Sequence, residues 1–180
     1  MNEKLKEILS MSLYLLGVLI ISFLIIRFVG QRTRVNGPSM MNTLYDGDNL
    51  ILNKISYNFH DPERFDVVVF PFRDKSGKNY IKRVIGLPGE TVQIDYDGNI
   101  YINGEVLDES YGREIIKDPG NAAEPISLGE GEYFVLGDNR NNSSDSRFDE
   151  VSIVKRKEIL GKAWLRIWPL SSFGVVEKGN

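Results

Sequence analysis

The chain has 180 residues, enough for one anchored domain with its own core and too few for a second large module. Its 22 Lys+Arg and 25 Asp+Glu give a formal net charge of -3 with both signs dispersed, which removes nucleic acid from the partners considered. Cysteine is absent and histidine occurs once, at His60, so thiol catalysis, disulfides, Cys-ligated zinc and any multi-histidine metal site are excluded.

Residues 1–7 form a short polar segment, followed by the uncharged run ILSMSLYLLGVLIISFLII between Glu7 and Arg27. At about 1.5 Å per residue, a helix of this length nearly matches a hydrocarbon core of about 30 Å, and a transmembrane anchor is predicted over residues 8–29. The following RFVGQRTRV lacks the small-x-small site of a cleaved signal peptide, so the anchor is read as retained. Lys4 and Lys6 precede the span while Arg27, Arg32 and Arg34 follow it, and flanking charge alone leaves the orientation open.

Residues 30–180 read as a single all-β domain. Short strands are predicted at NLILN (49–53), DVVVFPF (66–72), YIKRVIGL (80–87), TVQID (91–95), NIYIN (99–103), EYFVLG (132–137) and KAWLRIW (162–168). Asp97-Gly98, Asn103-Gly104 and Pro88-Gly89 punctuate them as tight turns, giving a meander or small barrel. Residues 110–131 read as an exposed excursion and VKRKEI (154–159) as one helical turn, neither with obvious chemistry.

Three segments hold polar groups that a plain β domain does not need: NGPSMMNTLYDGD (36–48), YIKRVIGLPGE (80–90) and GDNRNNSSDSR (137–147). Ser39 sits in a Gly-Pro-Ser-Met loop, where a hydroxyl is presented on stiffened backbone beside free amides, although most such triplets are simple turns. Alternation puts Lys82 on the strand face of Tyr80 and Val84, with Ile81, Arg83 and Ile85 opposite. Burial there would lower the amine toward the range of a general base; the bland reading is a lysine snorkelling at a sheet edge.

The motifs GPSMMNTL, DGDNLILNKISY, RFDVVVFPF with NYIKRVIGLPGE, and GDNRNNSSDSR resemble, in order and spacing, those of bacterial type I signal peptidases of the short, single-anchor kind found in Gram-positive bacteria. The resemblance covers nearly the whole length. It implies a signal-peptidase or LexA-like β catalytic domain, extracytoplasmic, behind one helix in the cytoplasmic membrane. The activity implied is that of a serine endopeptidase removing signal peptides from secretory preproteins, with no cofactor and no metal. Signal peptides, the lipid bilayer and the protein-export machinery are the implied partners.

Carried over residue by residue, the resemblance makes Ser39 the nucleophile, Lys82 the general base and Ser143 the serine that bonds and orients the lysine. Asp145 and Arg147 become a supporting ion pair, and backbone at Gly37 and Ser39 forms the oxyanion hole. Val35, Met40, Tyr80 and Ile81 line the substrate site, whose shallow pockets take small side chains; the substrate lies extended along 33–36 and 80–82. The family's usual proline three residues after the nucleophile is Asn42 here, expected to loosen the loop. Its usual glycine before the aspartate at 66 is Phe65, expected to add apolar surface near the membrane.

The ten residues Gly30–Ser39 extend at most about 35 Å, which keeps the nucleophile near the bilayer. Trp164, Trp168 and Phe173 are candidates for a patch resting on lipid, or for core. A Ser39/His60/Asp hydrolase is the main catalytic rival, but His60 lies in a polar NFHDPE turn without a supporting motif. A non-catalytic anchored β domain and a self-cleaving repressor are the others; the first keeps both Ser39 and Lys82 without need, and the second lacks its DNA-binding domain.

Overall fold

The computed structural model describes residues 3–24, 30–72 and 77–176. Helix α1 (Glu3–Leu24) has 22 residues, about 33 Å of axis, and its window Lys6–Phe23 is long and apolar enough to cross a membrane, with none of it buried against the rest of the protein. The part of the predicted span at 25–29 lies outside the described residues.

Twelve described strands follow: β1 (Gly30–Arg34), β2 (Asn49–Asn53), β3 (Val67–Pro71), β4 (Asn79–Gly86), β5 (Thr91–Ile94), β6 (Ile100–Ile102), β7 (Glu105–Val106), β8 (Ile126–Ser127), β9 (Glu132–Leu136), β10 (Val154–Lys155), β11 (Gly161–Trp168) and β12 (Gly174–Val175). A one-turn helix α2 (Ser56–Phe59) lies between β2 and β3. The larger sheet runs β1-β2-β11-β3-β4-β9-β10 with β12 on β11, the smaller β7-β6-β5-β8, and every pairing is antiparallel.

The apolar pattern follows from what each strand covers. In β3, Val67 and Val69 join one cluster with Val35, Met40, Leu44, Leu50 and Leu52, while Val68 and Phe70 join another on the opposite face with Val84 and Val135. A strand buried on both sides has no polar face to alternate with, hence the unbroken VVVF. In β5 and β6, Val92, Ile94, Ile100 and Ile102 point into a third cluster with Ile85, Phe134 and Leu136, and the residues between them are less buried. Asn103 and Gly104, with φ of 54° and 85°, form the left-handed turn that joins β6 to β7.

Two sequence expectations change. Residues 154–159 form β10 followed by a 3-10 turn at Arg156–Glu158, because Val154 is drawn into the core and pairs with Tyr133. The segment 110–131 is no bare excursion: Ile116, Ala122 and Leu128 are buried in the third cluster and β8 adds an edge to the smaller sheet. Trp164, Trp168, Leu170, Phe173 and Val175 are all exposed, so the aromatic residues of the C-terminal strands lie outside the core.

Candidate active site

A cleft of about 430 Å³ opens between residues 33–40, the start of β4 at 79–82 and residues 141–144. It brings Val35, Gly37, Ser39, Met40, Tyr80, Ile81, Lys82 and Ser143 around one space, while His60 is exposed and contributes nothing to it.

Ser39 is carried on a run of tight turns, with the Met41 amide donating to Pro38 O (3.0 Å) and the Leu44 amide to Met40 O (2.8 Å). Met40 and Leu44 are buried in the core cluster and anchor those turns. Gly37 enters at φ 89°. Its amide donates to Asp46 Oδ1 at 2.8 Å, so of the two oxyanion donors expected from sequence Gly37 is already engaged. The Ser39 amide has no acceptor among the described residues.

Lys82 lies on β4 opposite Val68 of β3, just before β9 joins on the other side, and is 3% exposed. Its Nζ is 2.9 Å from Ser39 Oγ and 3.1 Å from Ile81 O, and lies 4.9 Å over the Tyr80 ring, which is itself stacked on Phe72. Burial pushes the amine from 10.5 down to about 8, against the opposing pull of Asp145 and Asp138. A largely desolvated amine within hydrogen-bond reach of a hydroxyl is what a lysine needs to accept that hydroxyl's proton near neutral pH.

Both opposing carboxylates are matched by buried guanidinium groups. Arg147 donates to Asp145 through Nε (2.8 Å) and Nη2 (3.0 Å), and Arg83 grips Asp138 through Nε (2.9 Å) and Nη2 (2.8 Å). The expected bond from Ser143 to Lys82 is not formed: Ser143 Oγ occupies the space that a side chain on Gly137 would take and, though buried, has no hydrogen-bond partner among the described residues. An unsatisfied buried hydroxyl costs about 1–3 kcal/mol, which favours any rotation that finds it a partner.

Three features escaped the sequence reading. Asn139 donates through its amide to Ser39 O (3.0 Å) and through Nδ2 to Pro38 O (3.1 Å), tying the Ser39 turn to the loop that carries Ser143. Gly137 lets that loop approach, since a Cβ there would stand 2.6 Å from Ser39 O. Arg83 and Asp138 complete the buried charge network. The only signal was their place in motifs already singled out for other members.

The two departures are explained by backbone. Asn42 has φ 94°, which proline's ring cannot reach, so the loop takes a course closed to the usual residue rather than a looser version of it. Phe65 has φ 72°, the left-handed region where glycine is at ease. Its ring turns inward onto Tyr111 (4.9 Å between centroids) and the core, not toward a membrane surface.

The family profile described as "Signal peptidase, peptidase S26" matches residues 7–168. The chain belongs to this family. Among its signal peptidase relatives, the "Probable signal peptidase I-2" of Synechocystis sp. is 42% identical over 154 residues, covering 83% of this chain and 68% of the relative. The "Signal peptidase I P" of Bacillus subtilis subsp. natto is 35% identical over 176 residues, 94% of each chain. A solved signal peptidase I from Enterococcus faecalis V583 is 36% identical, with a TM-score of 0.46, and covers 57% of this chain and 97% of that one. As a peptidase S26 signal peptidase, the chain is a serine-type peptidase with an N-terminal helix fit to anchor it.

Proposed function

We propose that this chain removes N-terminal signal peptides from exported preproteins, with Ser39 as nucleophile and Lys82 as general base. The observation that carries the reading is the 2.9 Å approach of a buried amine, lowered to about 8, to the Ser39 hydroxyl. Neutral Lys82 takes the Ser39 proton as Oγ attacks the scissile carbonyl, and the oxyanion forms opposite the Ser39 amide. The tetrahedral intermediate collapses, the Lys82 ammonium returns the proton to the departing amine of the mature protein, and the signal peptide remains esterified to Ser39. Lys82 then deprotonates a water, which attacks the ester; the Lys82 ammonium returns that proton to the departing Ser39 Oγ, and the signal peptide is freed with both side chains restored. Ser143, by rotating onto the amine, holds it in line, and the Asp145/Arg147 pair fixes that loop from behind.

The substrate lies extended between two open edges. Val35 spends its backbone groups on Asp48 O and the Gly47 amide, which by alternation turns those of Arg34 and Asn36 toward the cleft. Residues 79–82 pair with β3 on one side only, because β9 joins β4 from Arg83 onward. The floor between them is tightly packed Val35, Met40 and Ile81, which leaves depth for small side chains. We assign residues 8–29 to the span, residues 1–7 to the cytoplasmic side and residues 30–180 to the outer side of the cytoplasmic membrane. The exposed Trp164, Trp168 and Phe173 rest on its lipid, and emergence of the substrate from the export machinery is the natural source of preprotein.

The test is cleavage of a preprotein by the full chain in proteoliposomes, with Ser39→Ala and Lys82→Ala alongside. Each variant should lose activity by about 10³-fold or more. Full activity in either one removes the mechanism.

A further inference from the structure

The segment Glu109–Asn121 is bonded along its length to the back of the loop Gly137–Arg147. Glu109 Oε1 is 2.7 Å from Arg140 Nη1, in an ion pair whose side chains are 9% and 3% exposed. Gly112 lies flat on that guanidinium, where a Cβ would stand 3.2 Å from Cζ. Tyr111 sets its ring 3.7 Å from the Arg83 guanidinium carbon and against the Phe65 ring, 4.9 Å between centroids. The Arg113 amide donates to Asp138 O (2.8 Å). Asn141 donates to Glu114 Oε2 and Ile115 O and accepts from the Lys117 amide. Finally, Arg147 Nη1 donates to Asp118 O and the Asn121 amide to Arg147 O.

The loop held in this way reaches the nucleophile through Asn139, the neighbour of Arg140, which bonds Ser39 O and Pro38 O. Arg140 also donates to Gly137 O, and its own carbonyl accepts from Arg147. A buried guanidinium stripped of its carboxylate must turn toward water, and here it would carry residues 139–141 with it.

We propose that Glu109 is a positioning residue for the Ser39/Lys82 pair: through its ion pair with Arg140, under the strap of residues 109–121, it fixes the loop that grips the Ser39 carbonyl and carries Ser143. This inference rests on the catalytic reading above. The strap acts on geometry, not on substrate, so its loss falls on kcat.

The experiment is Glu109→Gln in the full chain in mixed micelles, cleaving an internally quenched signal-peptide substrate across pH, with folding followed by circular dichroism. The expected result is a kcat lower by about tenfold or more, a KM within about twofold, and an acid limb of kcat/KM displaced upward. The sign of that displacement is diagnostic. The Lys82 amine faces Ser39, the Tyr80 ring and the carboxylates Asp138 and Asp145 with their partners Arg83 and Arg147. Deleting a negative charge alone draws an amine downward, whereas a loosened loop that admits water to it moves it upward. A folded variant with wild-type kcat, or a downward limb, overturns the proposal. If Glu109→Gln does not fold, Tyr111→Leu, which keeps apolar bulk but loses the stacking on Arg83, should give the same pair of changes; their absence there overturns it equally. A wild type unable to cleave would instead overturn the Ser39/Lys82 reading itself.

Discussion

Replacing Lys82 by methionine keeps an unbranched stem in the same slot and removes the amine. Burial lowers that amine from 10.5 to about 8 in the folded chain, a displacement that at about 1.4 kcal/mol per pH unit amounts to about 3 kcal/mol. Below pH 8 both folded and unfolded chains hold the proton, and the folded one bears the full cost of a buried ammonium. Between pH 8 and 10.5 the unfolded chain keeps its proton and the folded chain does not, so stability rises with pH; above 10.5 the cost is gone. Methionine never bears it. The stability difference, Lys82→Met minus wild type, should therefore fall by about 3 kcal/mol from pH 6 to pH 10.5. The lost contacts to Ser39 Oγ and Ile81 O, each worth about 1 kcal/mol, offset the difference by a constant and leave its slope alone. Urea unfolding of the detergent-solubilised chain, read by tryptophan fluorescence at several pH values, measures it. A difference that does not vary with pH would refute the claim that burial holds this amine down.

Gly137→Ala should cut kcat/KM by on the order of 100-fold, because the new Cβ would stand 2.6 Å from Ser39 O and from Ser143 Cβ and force the reacting groups apart by about 1 Å; steady-state kinetics equal to wild type would contradict that packing. Phe65→Gly should be more stable than Phe65→Ala by about 1 kcal/mol, since both lose the ring on Tyr111 but only glycine relieves φ 72°, and chemical unfolding of the two variants compares them directly. The chain's 2 tryptophans, Trp164 and Trp168, are both exposed, so their fluorescence reports on the C-terminal patch itself. In proteoliposomes of brominated lipid they should be quenched, and unquenched emission would separate the patch from the membrane.

The strands with continuous or alternating apolar runs, β2 to β6, β9 and β11, were legible in the sequence because each has a face or two in the core. Strand β1, GQRTR, was not, since it is a polar edge held by its ladder to β2 and by Arg32 bonding Asn49. Ser39 and Lys82 were legible through the ordered family motifs, since a Gly-Pro-Ser loop is by itself most often a turn and a lysine amid apolar strand positions most often one that snorkels. What could not be read was the long-range wiring. Asn139 on the Ser39 carbonyl and Glu109 under Arg140 join residues 100 and 31 positions apart, and a spacing of that kind leaves no local pattern. The same holds for Asp46 capturing the Gly37 amide, which depends on the turn that brings Gly47 back to Val35.

The pH dependence of kcat/KM for the full-length chain bears most directly on whether a neutral lysine activates the serine. The acid limb reports the free enzyme's base and should reach half its maximum near pH 8, with a single protonation. A limb near the 10.5 of an unburied lysine, or no ionisation at all between pH 6 and 10, would contradict it.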